Sequence, residues 1–146
     1  MLFIFSGKII KVIVLIKKSE ISWVFGFGAL VYSLIEVLFR GHTHWTMTLA
    51  GGVAFSLIYL MNINIKSGNM LVRCIAGAVI ITAIEFSAGC IVNLYLKMNI
   101  WDYTREKFNI LGQICPLFSF AWFLISIPTN YLSVVFRNRF TENKTF

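Results

Sequence analysis

Four long apolar stretches occupy most of this chain and constrain its fold more than any other feature. They cover residues 22–39, 46–61, 70–96 and 110–136, and short polar connections separate them. A helix needs about 20 mainly apolar residues to cross a bilayer. Of the 146 residues 58% are hydrophobic and only 13% are charged, whereas a soluble domain carries about 25% charged residues. The sequence therefore predicts an all-α membrane protein with a four-helix transmembrane bundle, and it excludes a soluble enzyme.

The start of the chain differs from the four stretches because lysines interrupt it. Three of these lysines fall on one arc of a helix, and apolar side chains cover the remaining surface. This pattern is typical of a basic amphipathic helix that lies at the membrane interface. We therefore predict an interfacial leader (1–18), a single four-span transmembrane domain (19–136) and a short cytoplasmic tail (137–146).

Basic residues are shared unevenly between the two sides of the predicted bundle. The side with the leader, the second connection and the tail holds nine of the 13 Lys and Arg residues, if Arg73 at the start of the third span is included, and the opposite side holds the remaining four. Because Lys and Arg concentrate in cytoplasmic loops, we expect a multi-pass protein of the cell membrane with both termini cytoplasmic. The basic residues that give the net charge of +7 lie beside the spans, where they contact the headgroups of the lipid bilayer. We therefore expect the bilayer and not a nucleic acid as their partner.

Charged side chains within or beside the spans mark a candidate site. Glu85 lies near the middle of the third span with no basic residue within one turn. Glu36 and Arg40 form an i,i+4 pair at the end of the first span, on a stripe of small and polar residues that begins at Gly26 and is predicted to face the inside of the bundle. A charge at mid-bilayer costs about 2.5–3.5 kcal/mol. Glu85 is therefore either a protonated structural carboxyl or a carboxylate that pairs with another helix or a ligand.

Two polar segments lie on the predicted outer side. One contains His42 and His44, and the other contains Trp101, Asp102 and Tyr103. Alternate residues of an extended loop face the same way, so both histidines and Asp102 are candidate ligands for a zinc-like metal. Two alternatives are loop histidines without a metal and general acid–base groups. The sequence names no cofactor.

Amide side chains complete the candidate site. Asn93 ends the third span, and Asn109 and Gln113 are predicted on the inward face of the fourth. Such amides either bond helix to helix or bind a polar solute or headgroup. The candidate cavity residues are therefore Glu36, Arg40, His42, His44, Glu85, Asn93, Trp101, Asp102, Tyr103, Asn109 and Gln113.

The order of these motifs resembles a family of small four-span membrane proteins labelled Putative ABC-transporter type IV. The motifs lie at residues 40–45, 51–52, 82–93, 101–103 and 109–114, and the resemblance extends over about residues 32–123. It implies a shared fold and a shared polar cluster. It implies no activity, because an ABC transporter needs an ATPase and this chain has no G-x-x-x-x-G-K-[ST] motif for binding a nucleotide.

Taken together, the sequence predicts a polar, outer-facing cavity within the membrane that binds or helps to transport a small solute or a lipid headgroup. Four helices enclose a narrow core, so we expect a homo-oligomer or other membrane subunits as partners. The main alternative is a small intramembrane enzyme at the outer leaflet, in which the histidines and acids act directly or through a metal. A weaker alternative is a holin-like or structural membrane protein.

Overall fold

The computed structural model describes residues 18–64 and 69–142, and it is helical in the way that the apolar stretches predict. The helices are α1 (Lys18–Arg40), α2 (Trp45–Asn64), α3 (Met70–Gly89) and α4 (Pro116–Glu142). A π-helical segment (Cys90–Tyr95) continues α3. All four helices are long and apolar enough to cross a membrane. The prediction of an all-α, multi-pass membrane protein is confirmed. The predicted leader lies outside the described residues, except for its last residue.

The fourth helix begins later than the apolar stretch suggested. It starts at Pro116, and the residues from 110 to 115 form turns in which Ile110 pairs with Ile114. Proline favours the first position of a helix and disfavours helical backbone in the residue before it. The predicted start at 110 is therefore wrong. At its other end α4 continues to Glu142, so the first part of the predicted tail is helical.

Helices α1 and α2 cross at two glycines. A Cβ atom on Gly28 would lie 2.4 Å from the Cβ of Phe55, and one on Gly51 would lie 2.2 Å from the Cβ of Tyr32. Only glycine allows so close an approach, as at many helix crossings in membranes. Gly26 is exposed, and a Cβ there would meet nothing within 4 Å. Its predicted place on the inward stripe is therefore wrong.

Helices α3 and α4 pack together in a similar way. A Cβ atom on Gly77 of α3 would lie 2.6 Å from the hydroxyl oxygen of Ser126 on α4. Asn130 of α4 donates to the carbonyl oxygen of Arg73 at 3.3 Å and accepts from Asn62 of α2 at 2.8 Å. Hydrogen bonds of the Asn130 side chain thus link three helices at the end of the bundle where α1 begins and α4 ends, which we call the termini end.

A buried acid also lies at the termini end. Glu20 of α1 is 1% exposed. It accepts a hydrogen bond from the hydroxyl of Tyr59 and forms an ion pair with Arg137 at 3.2 Å. Because these partners come from α2 and α4, the carboxylate connects the first helix to two others.

Candidate functional site

A cavity of about 410 Å³ lies at the other end of the bundle, which contains the connections 41–44 and 96–115 and which we call the loop end. Its lining comes from α1, from α4 and from residues 101–106. The volume is within the range of about 300–1,000 Å³ that is typical of small-molecule sites. Tyr32 of α1 and Trp122 of α4, whose ring centroids are 5.8 Å apart, both line it. The cavity therefore lies where the first and last helices meet.

Aromatic side chains form nearly half of the lining. Those of α1 and α4 come from within the spans, and the other two come from the connection between α3 and α4. Tyr103 stacks on Phe118 with ring centroids 4.4 Å apart, so the connection is packed against α4. The six aromatic lining residues are Tyr32, Phe39, Trp101, Tyr103, Phe118 and Trp122.

The predicted pair of Glu36 and Arg40 lies on the cavity wall. The Arg40 Nη1 donates to the Glu36 carboxylate at 2.9 Å, and Nη2 donates to the carbonyl oxygen of Ile100. The hydroxyl of Thr43 donates to the second carboxylate oxygen at 2.9 Å. Glu36 is 7% exposed, so its charge needs these partners. The Arg40 guanidinium is thereby held in place and its charge is balanced.

Asp102 adds a second carboxylate to the lining. Its oxygens accept from the backbone N–H of Thr104 at 2.8 Å and from the Thr104 hydroxyl at 3.0 Å. These two hydrogen bonds stabilise the charged form and hold the pKa of Asp102 below its usual value. Glu106 lies on the same lining. The cavity therefore has acidic groups on both α1 and the connection.

Glu85 lies behind the cavity wall and holds two of the aromatic side chains. It is 3% exposed, and it accepts from the Tyr103 hydroxyl at 2.9 Å and from the Trp122 indole N–H at 2.7 Å. Burial and the nearby carboxylate of Glu85 raise the pKa of Tyr103, so its phenol stays protonated as a donor. Glu85 itself does not line the cavity. Its described contacts make it a residue that positions the lining.

The amide residues hold the connection to the bundle. Asn93 donates to the carbonyl oxygen of Trp101 and to the Gln113 side chain, both at 2.9 Å, and accepts from the Ile100 N–H at 2.7 Å. The Trp101 indole donates to the Gln113 carbonyl oxygen at 3.0 Å. These bonds place Trp101 on the cavity lining, but Asn93 and Gln113 do not line it themselves.

Asn109 performs a similar role within the connection. Its amide donates to the carbonyl oxygens of Thr104 and Glu106, and its oxygen accepts from the N–H of Gly112 at 3.0 Å. Gly112 has a positive φ of 68°, and a Cβ there would lie 2.7 Å from the Thr104 side chain. The prediction that Asn109 and Gln113 lie on a helical face is wrong, because both precede α4.

The two histidines are not part of the cavity. His42 is exposed, with its Nδ1 3.0 Å from the carbonyl oxygen of Arg40, and the Nδ1 of His44 is 2.9 Å from the Thr46 hydroxyl. Neither lines the cavity. In the described ranges no three His, Cys, Asp or Glu residues are grouped so that they could hold a metal ion. The set of His42, His44 and Asp102 is thus not assembled.

Several lining residues were not among the sequence-based candidates, and Trp122 is the most informative. A buried indole N–H needs an acceptor, and Glu85 needed a donor. The sequence contains both groups, but they lie 37 positions apart and no local sequence pattern indicates that they pair. The missed lining residues with polar or aromatic side chains are Tyr32, Phe39, Glu106, Phe118 and Trp122.

Comparison with known proteins places the chain in a family. A family model described as Putative ABC-transporter type IV matches residues 18–145. The match includes every residue that lines the cavity, and it extends beyond the region in which the motifs showed the resemblance. Searches of the curated proteins and of the solved structures give no match.

Proposed function

This chain belongs to the family described as Putative ABC-transporter type IV, and on that basis we propose that its loop-end cavity binds a small solute or a lipid headgroup and helps to transport it. The observation that carries the proposal is the cavity itself. About 410 Å³ of space, with charged groups on its lining, lies at one end of a bundle of membrane-spanning helices. A concave space of this size, lined by apolar and aromatic side chains with a few charged groups, is typical of a small-molecule site.

The environment of the cavity supports a ligand that arrives from the bilayer or from the adjoining water. Phe39 lines the cavity and is 85% exposed, and its neighbour Leu38 is 83% exposed. In a spanning helix such exposed apolar side chains face lipid. An apolar edge beside a charged interior suits a molecule with a polar head and an apolar remainder.

A cavity-filling substitution tests this proposal. Ala121 of α4 lines the cavity, and Ala121→Phe would occupy part of the space. Ala83→Phe on the exposed face of α3 is the matched control. The measurement is the thermal stability of the purified full chain in detergent, in the presence of cationic, neutral and anionic solutes and short-chain lipids. A bound ligand raises the Tm of the folded protein.

We expect at least one compound to raise the Tm of the parent and of the Ala83→Phe variant, and not that of Ala121→Phe. If no compound of any charge raises the Tm, or if Ala121→Phe responds as the parent does, the cavity is not a binding site and the proposal is wrong.

We further propose that both termini face the cytoplasm, so that the cavity opens toward the outer side. The uneven distribution of Lys and Arg supports this orientation. The test uses single cysteines introduced at Thr104 and at position 143, in a background in which the three native cysteines are replaced. A membrane-impermeant thiol reagent should label intact cells at Thr104 only. Labelling at position 143 alone would reverse the orientation.

We also propose that transport requires a partner, either a second copy of this chain or another membrane subunit. The sequence has no Walker A motif, so ATP-driven transport would need an ATPase subunit. Light scattering of the purified chain tests the homo-oligomer. If the protein is monomeric and still moves a solute into vesicles without any other protein, this proposal is wrong.

A further inference from the structure

We propose that the cavity selects an organic ammonium group, a positively charged nitrogen that carries methyl or methylene substituents. This inference rests on the proposed function, because it names the chemical class of the ligand in the same cavity. Three features of the lining carry it: the balance of charge, the aromatic surface, and the way in which Arg40 is already bonded.

The charge of the lining favours a cation. Four lining residues carry formal charges, namely Glu36, Arg40, Asp102 and Glu106. Three of these are acidic and one is basic, so the lining has an excess of negative groups. The hydrogen bonds from Thr104 hold the pKa of Asp102 below its usual value, so this carboxylate is ionised at neutral pH. A cation that enters the cavity therefore meets a lining that has two more acidic than basic groups.

The single basic group does not reverse this preference. The Nη1 of Arg40 donates to Glu36 at 2.9 Å, and Nη2 donates to the Ile100 carbonyl oxygen. To bind Arg40, an anion would have to displace one of these two acceptors or lie close to the negative charge of Glu36. The pair of Glu36 and Arg40 thus contributes little net charge, and the acids of the connection determine the sign.

The aromatic surface defines the kind of cation. Six of the lining residues are aromatic, and the π faces of Trp, Tyr and Phe attract cations within about 6 Å. A strongly hydrated metal ion gains little from such rings. An alkylammonium group loses little hydration and places its methyl groups against apolar atoms, as in the aromatic sites that recognise quaternary ammonium ligands. The cavity volume of about 410 Å³ has room for such a group and its substituents.

Ammonium groups of this kind occur in free amines and in lipid headgroups, and the chemistry of the cavity is the same for both. A free amine would enter from the aqueous side at the loop end. A headgroup would enter beside Phe39 with its acyl chains in the bilayer. Short-chain lipids with and without an ammonium headgroup distinguish the two sources.

The test compares choline with its uncharged isostere 3,3-dimethyl-1-butanol and with the anion 3,3-dimethylbutanoate. The full chain has four tryptophans, and Trp101 and Trp122 line the cavity. Trp23 and Trp45 are exposed elsewhere and are replaced by Phe, so that fluorescence reports the cavity alone. The titrations are performed in detergent at constant ionic strength.

We expect choline to change the fluorescence with a Kd about a hundredfold lower than that of the neutral isostere, because a cation–π contact and the two acids of the connection each contribute about tenfold. The Asp102→Asn, Glu106→Gln double variant should raise the Kd of choline about tenfold and leave the Kd of the neutral isostere unchanged. The asparagine oxygen can still accept from Thr104, so the connection keeps its fold. Glu142→Gln, at the far end of α4, is the control and should bind choline as the parent does.

Short-chain lipids identify the source of the ammonium group. If dioctanoyl phosphatidylcholine displaces choline and dioctanoyl phosphatidylglycerol does not, the cavity takes an ammonium headgroup. If neither lipid displaces choline, it takes a free amine. Both results support an ammonium ligand.

Equal or tighter binding of the neutral or anionic isostere would overturn this inference. The proposed function would survive that result if Ala121→Phe abolished the binding. If none of the three probes binds, the ammonium class is excluded, and the solute panel described above then decides whether the cavity binds any ligand.

Discussion

Replacement of Glu85 tests the hydrogen bonds that hold the cavity wall in place. Its carboxylate accepts from the Trp122 indole at 2.7 Å and from the Tyr103 hydroxyl at 2.9 Å. Leucine has a comparable volume and no acceptor, so Glu85→Leu leaves both donors unpaired. A buried unpaired donor costs about 1–3 kcal/mol, and the partly buried hydroxyl adds about 1 kcal/mol. We therefore expect Glu85→Leu to lower the free energy of unfolding by about 2–4 kcal/mol.

Glu85→Gln separates the hydrogen bonds from the charge. An indole only donates, so the glutamine oxygen has to face Trp122 and its amide nitrogen faces Tyr103. The Tyr103 hydroxyl can accept from that nitrogen, which keeps both contacts. Hydrogen bonds to a neutral group are about half as strong as those to a charged one. We expect Glu85→Gln to lower the free energy of unfolding by no more than about 2 kcal/mol.

The assay is unfolding of the purified protein in mixed micelles, followed by circular dichroism as the fraction of denaturing detergent increases. Ser87→Leu is the control, because Ser87 is exposed on the same helix and its described bond is to the carbonyl oxygen of Ala83. It should unfold within about 0.5 kcal/mol of the parent. A Glu85→Leu variant that is as stable as the parent, or no less stable than Glu85→Gln, would contradict this role of the Glu85 hydrogen bonds.

Two further predictions concern packing and charge. Gly51→Ala should lower the Tm markedly, because its Cβ would lie 2.2 Å from the Cβ of Tyr32. The control Gly26→Ala should leave the Tm unchanged within error. Equal effects of the two substitutions on the Tm would contradict the crossing of α1 and α2 at Gly51. Thr104→Ala should raise the pKa of Asp102 toward its usual value, because one stabilising hydrogen bond is removed. In an NMR titration, the Asp102 carboxylate should therefore take up its proton at a higher pH than in the parent. An unchanged titration would show that the Thr104 hydroxyl does not stabilise this carboxylate.

The membrane class and the number of helices could be predicted because they depend on a property of about 20 consecutive residues. A helix forms all of its backbone hydrogen bonds within itself, so the hydropathy of a segment largely decides whether it crosses the bilayer. The pair of Glu36 and Arg40 was also predictable, because i,i+4 geometry is local. Both features come from neighbours in the sequence.

The partners of Glu85 could not be predicted for the opposite reason. Tyr103 and Trp122 lie 18 and 37 positions away, and helical spacing says only that Glu85 faces inward. The start of α4 was missed because apolar composition continues through the turns before Pro116. Proline itself carried the correct signal, since it opens helices and disfavours helical backbone before it.

The arrangement of the glycines has a consequence for how a ligand would act on the whole protein. Gly28 and Gly51 join α1 to α2, and Gly77 brings α3 against Ser126 of α4, so the bundle consists of two tightly packed hairpins. The cavity is lined by α1 from one hairpin and α4 from the other. A ligand that contacts both adds its binding free energy to the association of the hairpins. By reciprocity, the association of the two hairpins strengthens ligand binding by the same free energy by which the ligand strengthens their association.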